Sequence, residues 1–337
     1  MITESGESVA DLGEWGLIAA LAAALPPGPF ARLGIGDDSA VVAAPSGSVV
    51  AAVDLLIEGR HFLRSWSSAY DVGVKAAARS LADIAAMGAV PTALLVAFAA
   101  PGTLPARWAL DLAAGLAHEA GRAGAGVVGG DTSRAESVLL SVTALGDLSG
   151  RPPVLRAGAH PGDVVAVTGP LGHSAAGHAL LAEGVESFPD LVAAHRRPAP
   201  AYDAGPEAAV LGATAMIDVS DGLVADLGHV AAASGVWINI ESQGLAPGDT
   251  LAKAAAVVPG ALSRLSGTGA AVSPPALALE WALTGGEDHS LAATFPSSTA
   301  LPPRWRVIGA VRETHPGGRV TVDGAAHSGP GGWDHFR

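Results

Sequence analysis

The sequence predicts two domains of the α/β and α+β classes. Its 337 residues are about twice the usual length of one domain. Short apolar runs typical of strands alternate with alanine-rich runs of helical periodicity in both halves. A break rich in glycine, proline and serine spans residues 149–153. We therefore expect an N-terminal domain at residues 1–150 and a C-terminal domain at 151–337.

The first half begins with an apolar run from Trp15 to Leu25, which predicts a helix that ends at two prolines. The other elements expected here are strands at 40–44, 49–56, 93–98, 127–128 and 138–146 and helices at 71–87 and 105–123.

The second half repeats this alternation. The elements expected here are strands at 164–168, 215–218, 291–295 and 306–311 and helices at 174–183 and 221–234. The stretch 244–276 is rich in glycine, alanine and proline, so we expect a mobile loop there. The pattern does not fix the order of the strands.

Composition excludes several functional classes. The net charge is -13 and only two lysines occur, so nucleic acid is not an expected partner. The longest apolar stretch, residues 93–100, is far below the ~18 residues of a membrane span. Cysteine is absent, which excludes thiolate chemistry. Acidic residues near the start argue against a signal peptide, so we expect a soluble cytoplasmic protein.

Aspartates recur after apolar runs or glycines. Turn formation or helix capping accounts for one such residue. Four such sites in an acidic chain favour the binding of a divalent cation such as Mg²⁺, which prefers oxygen ligands. The sites are Asp37 and Asp38 after Gly34, Asp54 in an apolar run, Asp131 after two glycines, and Asp218 with Asp221.

The predicted helix at 71–87 carries Lys75, Arg79 and Asp83 at four-residue spacing, so the three share one face. This face is either a solvated stripe held by ion pairs or part of a functional site.

The common nucleotide-binding motifs are missing. No Walker A sequence occurs, and the protein-kinase motifs are absent. The segment 169–174 lies between a predicted strand and a predicted helix, and it is either a phosphate-binding turn or an ordinary connection.

Taken in order, these segments resemble the thiamine-monophosphate kinase family over nearly the whole chain. The matching segments are Gly34-Ile35-Gly36-Asp37-Asp38, 54–62, 75–89, Gly129-Gly130-Asp131-Thr132, 156–163, Ile217-Asp218-Val219-Ser220-Asp221-Gly222, Gly285-Gly286-Glu287-Asp288 and Gly332-Trp333-Asp334-His335-Phe336.

The resemblance implies an N-terminal domain whose strands build a barrel across a homodimer interface, and a C-terminal α+β sandwich. It implies ATP in the cleft between domains and thiamine monophosphate as acceptor. The implied Mg²⁺ ligands are Asp38, Asp54, Asp83, Asp131, Asp218 and Asp221. The implied ATP contacts are Gly130, Asp131, Arg156 and Ser220, and the implied contacts to thiamine monophosphate are His61, Glu287 and Trp333. The implied catalytic set is Asp54, Asp131, Asp221 and Arg156.

Two positions depart from the family pattern. Ala52-Val53 stands where the family often has hydroxyl residues before the aspartate, and His289-Ser290 replaces a common Tyr-Glu pair.

Two alternatives remain open. One is another ATP-dependent enzyme of the same superfamily with a different acceptor, although the absence of cysteine argues against selenophosphate synthetase and the hydrogenase-maturation protein. The other is a non-catalytic nucleotide-binding homologue.

Overall fold

A computed structural model describes residues 7–26, 28–35, 39–185, 187–245, 247–261, 272–327 and 331–333. The chain divides into two compact units, described separately below. The N-terminal unit comprises Met1–Ala85 and Ala89–Arg151, and the C-terminal unit comprises Ala86–Gly88 and Pro152–Arg337. Each unit combines helices and strands, which confirms the mixed fold class.

The N-terminal unit contains a four-stranded sheet, a two-stranded sheet and three helices. Its elements are α1 (Val9–Ala24), β1 (Ala31–Leu33), β2 (Val41–Val42), β3 (Val50–Ile57), α2 (Ala69–Ala86), β4 (Val90–Ala100), α3 (Ala106–Arg122), β5 (Val127–Arg134) and β6 (Leu139–Asp147). The large sheet has the order β3-β6-β4-β5, and only β4 and β5 pair in parallel.

The central strand β6 shows why this sheet has one buried face. Alternate residues Leu140, Val142 and Ala144 are buried, and the residues between them are partly exposed. On the edge strand β3, Val53 and Leu55 are exposed. Asp54 pairs in register with Val142, so Asp54 belongs to the face that the helices cover.

The C-terminal unit is built on a six-stranded sheet. Its elements are β7 (Val164–Thr168), α4 (His173–Ala182), α5 (Pro189–Arg196), α6 (Ala204–Val210), β8 (Ala215–Val219), α7 (Leu223–Ser234), β9 (Val236–Ile240), α8 (Ser242–Leu245), α9 (Asp249–Ala255), α10 (Pro274–Thr284), β10 (Ser290–Phe295), β11 (Arg306–Thr314) and β12 (Arg319–Val322). The strand order is β12-β9-β11-β7-β10-β8.

Two apolar clusters hold this unit together. One lies between the sheet and helix α7, where Ile217, Leu227 and Ile238 are almost fully buried. The other joins α4, α5, α9 and α10 through residues such as Leu180 and Leu251. The residues of β8 and β10 are buried, and so are the carboxylates near their ends, Asp218 and Asp288.

The structure corrects three expectations. The strand expected at 127–128 runs to Arg134, so Asp131 lies inside a strand. The helix expected from Asp221 begins at Leu223, because Gly222 has φ +128° and is not helical. The loop expected at 244–276 is wrong for its described part, since α9 lies within it and Leu251 is buried.

Among the helices in the described ranges, none combines the length and the apolar character that crossing a bilayer needs.

Candidate functional site

Asp54 is held by helix α2 in the N-terminal unit. The Ser80 hydroxyl donates to Asp54 Oδ2 at 2.9 Å, and Val142 O also lies 3.1 Å from that hydroxyl. Arg79 Nη2 is 3.9 Å from Asp54 Oδ1. Ser80 is fully buried, whereas the Asp54 side chain is 26% exposed. The Asp54 carboxylate is therefore held by α2 on one side and partly accessible to solvent on the other.

The polar face of α2 is not a solvated stripe. Lys75 is 2% exposed and the Arg79 side chain is 10% exposed, and Asp83 is half-buried. Asp83 follows Arg79 and Ser80 by one helical turn, so it lies on the side of α2 that faces Asp54. Burying these charges is costly unless they pair with each other or with a ligand, so the polar face is not a simple solvent-exposed stripe.

His61 lies in the turn after β3 and is anchored by its neighbours. Its Nδ1 accepts a hydrogen bond from the Ile57 N–H at 3.0 Å, and Lys75 Nζ donates to the His61 carbonyl at 3.2 Å. An acceptor nitrogen carries no proton, so the proton of the neutral ring is on Nε2. His61 can therefore donate a hydrogen bond to an anion from Nε2.

Gly130 and Asp131 lie on β5 and are exposed. The strands β6 and β4 separate β5 from β3. At a spacing of about 4.8 Å per strand, the backbones at Asp131 and Asp54 are roughly 14 Å apart. The sheet of one chain does not bring these two carboxylates into contact.

In the C-terminal unit, the turn Ser220-Asp221-Gly222 joins β8 to α7. The backbone N–H groups of all three residues donate to one oxygen, Oδ2 of Asp226, at 3.0 to 3.1 Å. Asp226 is 2% exposed. Burial raises its pKa to about 7, and the nearby Asp218 carboxylate adds to the rise.

Asp218 lies at the end of β8 and is buried against His289. The two side chains approach to 3.1 Å between His289 Nδ1 and Asp218 Oδ2. Toward an ionised Asp218 carboxylate, which can only accept, Nδ1 of His289 is the donor. His289 has φ +51°, a strained conformation that places its ring in the interior. His289 thus gives Asp218 a buried partner.

Glu287 and Trp333 are attached to the same turn. The Glu287 N–H donates to the Ser220 carbonyl at 2.8 Å, and the Trp333 N–H donates to the Asp221 carbonyl at 2.9 Å. Glu287 has φ +67°, and Trp333 is 60% exposed. Most of the Trp333 side chain therefore lies outside the core.

Asp288 lies in the connection between α10 and β10, and its side chain reaches the start of α4. Its carboxylate accepts from the N–H groups of Gly172 at 2.5 Å and Ser174 at 2.8 Å. Burial raises its pKa to about 7, while those two N–H groups oppose the rise. The segment 169–174 is thus a strand-to-helix connection in which the N–H groups of Gly172 and Ser174 bind a protein carboxylate. The use of these two groups favours the interpretation as an ordinary connection.

Arg156 does not lie beside the Ser220–Gly222 turn. Its carbonyl accepts from the Ser234 hydroxyl at 3.1 Å, at the last residue of α7. The turn precedes the first residue of α7, and a 12-residue helix is about 18 Å long.

The donors present fit Mg²⁺, since every candidate ligand is a carboxylate oxygen. Within the described residues, no three histidine, aspartate or glutamate side chains are placed to hold a metal together. Mg²⁺ commonly uses one or two carboxylates and completes its shell with phosphate oxygens and water. Asp37 and Asp38 lie outside the described residues.

The sequence assigned no role to four residues that hold these sites: Ser80, Asp226, Asp288 and His289. Asp226 has a usable signal, because it is an acidic residue on the inner face of an apolar helix, four positions after a glycine turn.

Comparison with known proteins covers both units. The family model for the AIR synthase related protein N-terminal domain matches residues 36–148. The model for the AIR synthase related protein C-terminal domain matches residues 160–294. The two matches fall on the two sheet-containing parts of the chain.

Two curated relatives share most of their length with this chain. Thiamine-monophosphate kinase of Mycobacterium tuberculosis H37Rv is 45% identical over 336 residues, covering 100% of this chain and 95% of the relative. The enzyme of Corynebacterium glutamicum is 38% identical over 339 residues, covering 98% and 96%.

A solved structure of AaThiL complexed with AMPPCP and TMP has a TM-score of 0.74 and 33% identity, with 100% of both chains covered. The chain therefore belongs to the thiamine-monophosphate kinase family of AIR synthase related proteins.

Proposed function

We propose that this protein is a thiamine-monophosphate kinase, which transfers the γ-phosphoryl group of ATP to the phosphate of thiamine monophosphate. The observation that carries the proposal is the 45% identity to a curated enzyme of that name over the whole chain. The ligands of the AaThiL structure, AMPPCP and TMP, match an ATP analogue and the acceptor.

The reaction needs positioning more than proton transfer. A phosphate oxygen of the acceptor forms a bond to the γ-phosphorus, the bond to the bridging oxygen of ADP breaks, and ADP leaves. The acceptor oxygen is already anionic near neutral pH, so no strong general base is required. In-line alignment and neutralisation of charge supply the catalysis. We expect no phosphoenzyme intermediate.

Carboxylates alone would repel two polyanions, so we propose that they bind Mg²⁺. Asp54, Asp83 and Asp131 of the N-terminal unit and Asp218 and Asp221 of the C-terminal unit are the proposed ligands, with Asp38. Bound Mg²⁺ supplies neutralisation of the phosphate charge. Ser80 and Arg79 hold Asp54 in place, and His289 does the same for Asp218.

The acceptor side is proposed to consist of Trp333, Glu287 and His61. The exposed ring of Trp333 offers a π-face to the cationic thiazolium. Glu287 balances that cation or accepts from the aminopyrimidine. His61 donates a hydrogen bond from Nε2 to the phosphate. Nε2 carries the proton of the neutral ring, because Nδ1 accepts from the Ile57 N–H. Gly130, Arg156 and Ser220 are the proposed ATP contacts.

We further propose a cytoplasmic homodimer in which the N-terminal sheet is completed by a second copy. The exposed apolar residues Val53 and Leu55 on the edge strand β3 support this proposal. An uncovered edge with apolar side chains is a pairing surface.

One assay tests the function against both alternatives. Purified protein is mixed with ATP, Mg²⁺ and thiamine monophosphate, and thiamine diphosphate and ADP are quantified. Equimolar formation of the two products supports the proposal. ATP consumption with other phosphate acceptors only would identify a different enzyme of the superfamily, and nucleotide binding without turnover would identify a non-catalytic homologue.

A further inference from the structure

The Ser220–Gly222 turn connects residues that the proposed function assigns to different ligands. Its side chains Ser220 and Asp221 belong to the ATP and Mg²⁺ side. Its carbonyls at Ser220 and Asp221 accept from the N–H groups of Glu287 and Trp333, which belong to the acceptor side. One short piece of backbone therefore supports both halves of the reaction.

The two segments that carry Glu287 and Trp333 approach this turn so closely that the residue of each that faces the turn must be glycine. A Cβ on Gly286 would lie 2.6 Å from the Ser220 carbonyl oxygen, and one on Gly332 would collide with the Asp221 carbonyl oxygen. These glycines precede Glu287 and Trp333 directly. Their close approach makes the position of the turn decisive for both side chains.

The inner side of the turn is held by Asp226. Three successive N–H groups converge on its Oδ2. Since buried N–H groups require acceptors, the Asp226 carboxylate fixes the position and orientation of the whole turn.

We propose that Asp226 is a positioning residue that sets the ATP side and the acceptor side of the site together through the Ser220–Gly222 turn. The inference rests on the proposed function. Asp226 acts through backbone alone and contacts neither substrate. Its loss therefore weakens two chemically different ligands at once, which the loss of a residue that contacts one ligand does not do.

The test measures the binding of each ligand separately by isothermal titration calorimetry, with Mg²⁺·AMPPCP and with thiamine monophosphate as probes. We compare wild type, Asp226→Ala and Asp226→Asn. Asp226→Ala is expected to weaken both ligands about tenfold or more. Asp226→Asn keeps an oxygen that accepts the three N–H bonds, so it is expected to restore most of both affinities.

Asp163→Asn is the matched control. Asp163 is also a buried carboxylate of the same unit, 5% exposed, and accepts from the His160 N–H and the Thr214 hydroxyl. Its removal costs stability without moving the turn, so both affinities should stay at the wild-type value.

Several outcomes would overturn the proposal. These are a folded Asp226→Ala that binds either ligand as wild type does, an Asp226→Asn no better than alanine, and an Asp163→Asn that weakens both ligands equally. If Asp226→Ala does not fold, Gly332→Ala displaces the turn from its other side, and unchanged Mg²⁺·AMPPCP affinity in that variant overturns the proposal instead.

The wild-type protein separates this inference from the proposed function. A wild type that binds both ligands but forms no thiamine diphosphate refutes the function, and the variant affinities still decide the role of Asp226. A wild type that binds neither ligand refutes both.

Discussion

The Asp54 site of the N-terminal unit and the Ser220–Gly222 turn of the C-terminal unit are held in different ways. In the N-terminal unit, Asp54 is fixed by side chains of helix α2, and it is partly exposed. In the C-terminal unit, the buried carboxylates Asp226 and Asp288 accept hydrogen bonds from backbone N–H groups. A side-chain arrangement fixes one residue at a time, whereas a backbone arrangement fixes several residues as a group. Substitution in the side-chain arrangement should therefore affect one residue, whereas substitution in the backbone arrangement should affect several residues together.

The largest expected effect is the loss of a proposed Mg²⁺ ligand in either unit. Asp54→Asn and Asp221→Asn each keep size and remove charge, so kcat should fall by at least about 100-fold. Steady-state kinetics at saturating Mg²⁺ measures the loss, and circular dichroism checks the fold. Wild-type turnover in both variants would refute the ligand roles.

Ser80→Ala tests the side-chain arrangement on its own. The variant frees Asp54 Oδ2 from its 2.9 Å partner, and about tenfold weaker apparent Mg²⁺ affinity is expected. Titration of activity with Mg²⁺, and of binding with Mn²⁺ monitored by electron paramagnetic resonance, measures it. In the double variant with Asp54→Asn the Ser80 effect should vanish, because the partner is gone. Additive losses would contradict the coupling.

Trp333→Ala tests the exposed ring on the acceptor side. Loss of a cation–π contact of about 0.5–2 kcal/mol predicts a KM for thiamine monophosphate roughly 2- to 30-fold higher, with the KM for ATP unchanged. Trp333→Phe should lie in between. Trp15→Ala is the control, because Trp15 is 79% exposed in the other unit and should change neither KM.

The last prediction concerns the pH dependence that Asp288 gives to stability, an effect on folding and not on turnover. Its folded pKa of about 7 lies above the ordinary value near 3.8. The folded state therefore binds the proton more tightly, and this stabilisation is present below about pH 4 and lost as pH rises to about 7. The slope is at most about 1.4 kcal/mol per pH unit.

Chemical denaturation of wild type and Asp288→Asn at several pH values measures that contribution. The stability of wild type relative to the variant should decline between about pH 4 and 7 and level off above. A constant difference across this range would show that Asp288 does not change its protonation on unfolding.

The elements found from the sequence were those with long or continuous apolar runs. Strands β7 and β10 lie inside the six-stranded sheet and β8 lies at its edge, and all three are runs of apolar or small residues apart from Asp218. Helices α5 and α6 were missed because they are short and each contains a proline. Strand β9 was missed because it starts directly after Gly235, which ends α7.

The sites divide in the same way. Asp54, Asp218 and Asp221 were predicted as Mg²⁺ ligands from turns, apolar runs and family resemblance. No role was predicted for Asp226 and Asp288, because a carboxylate in a helix or after a glycine-rich turn looks like an ordinary surface residue in sequence. Only the folded unit shows that both are buried and that each binds backbone N–H groups.

The tight approach of Gly286 and Gly332 to the turn also limits how the protein can change over evolutionary time. A mutation that adds a methyl group at either position meets a carbonyl oxygen, and a mutation that shifts the turn disturbs both approaching segments. Variation at this junction therefore requires concerted changes in three distant stretches of sequence, whereas single steps are eliminated. Adaptation to a new acceptor should begin elsewhere, at exposed side chains such as Trp333 that can vary alone.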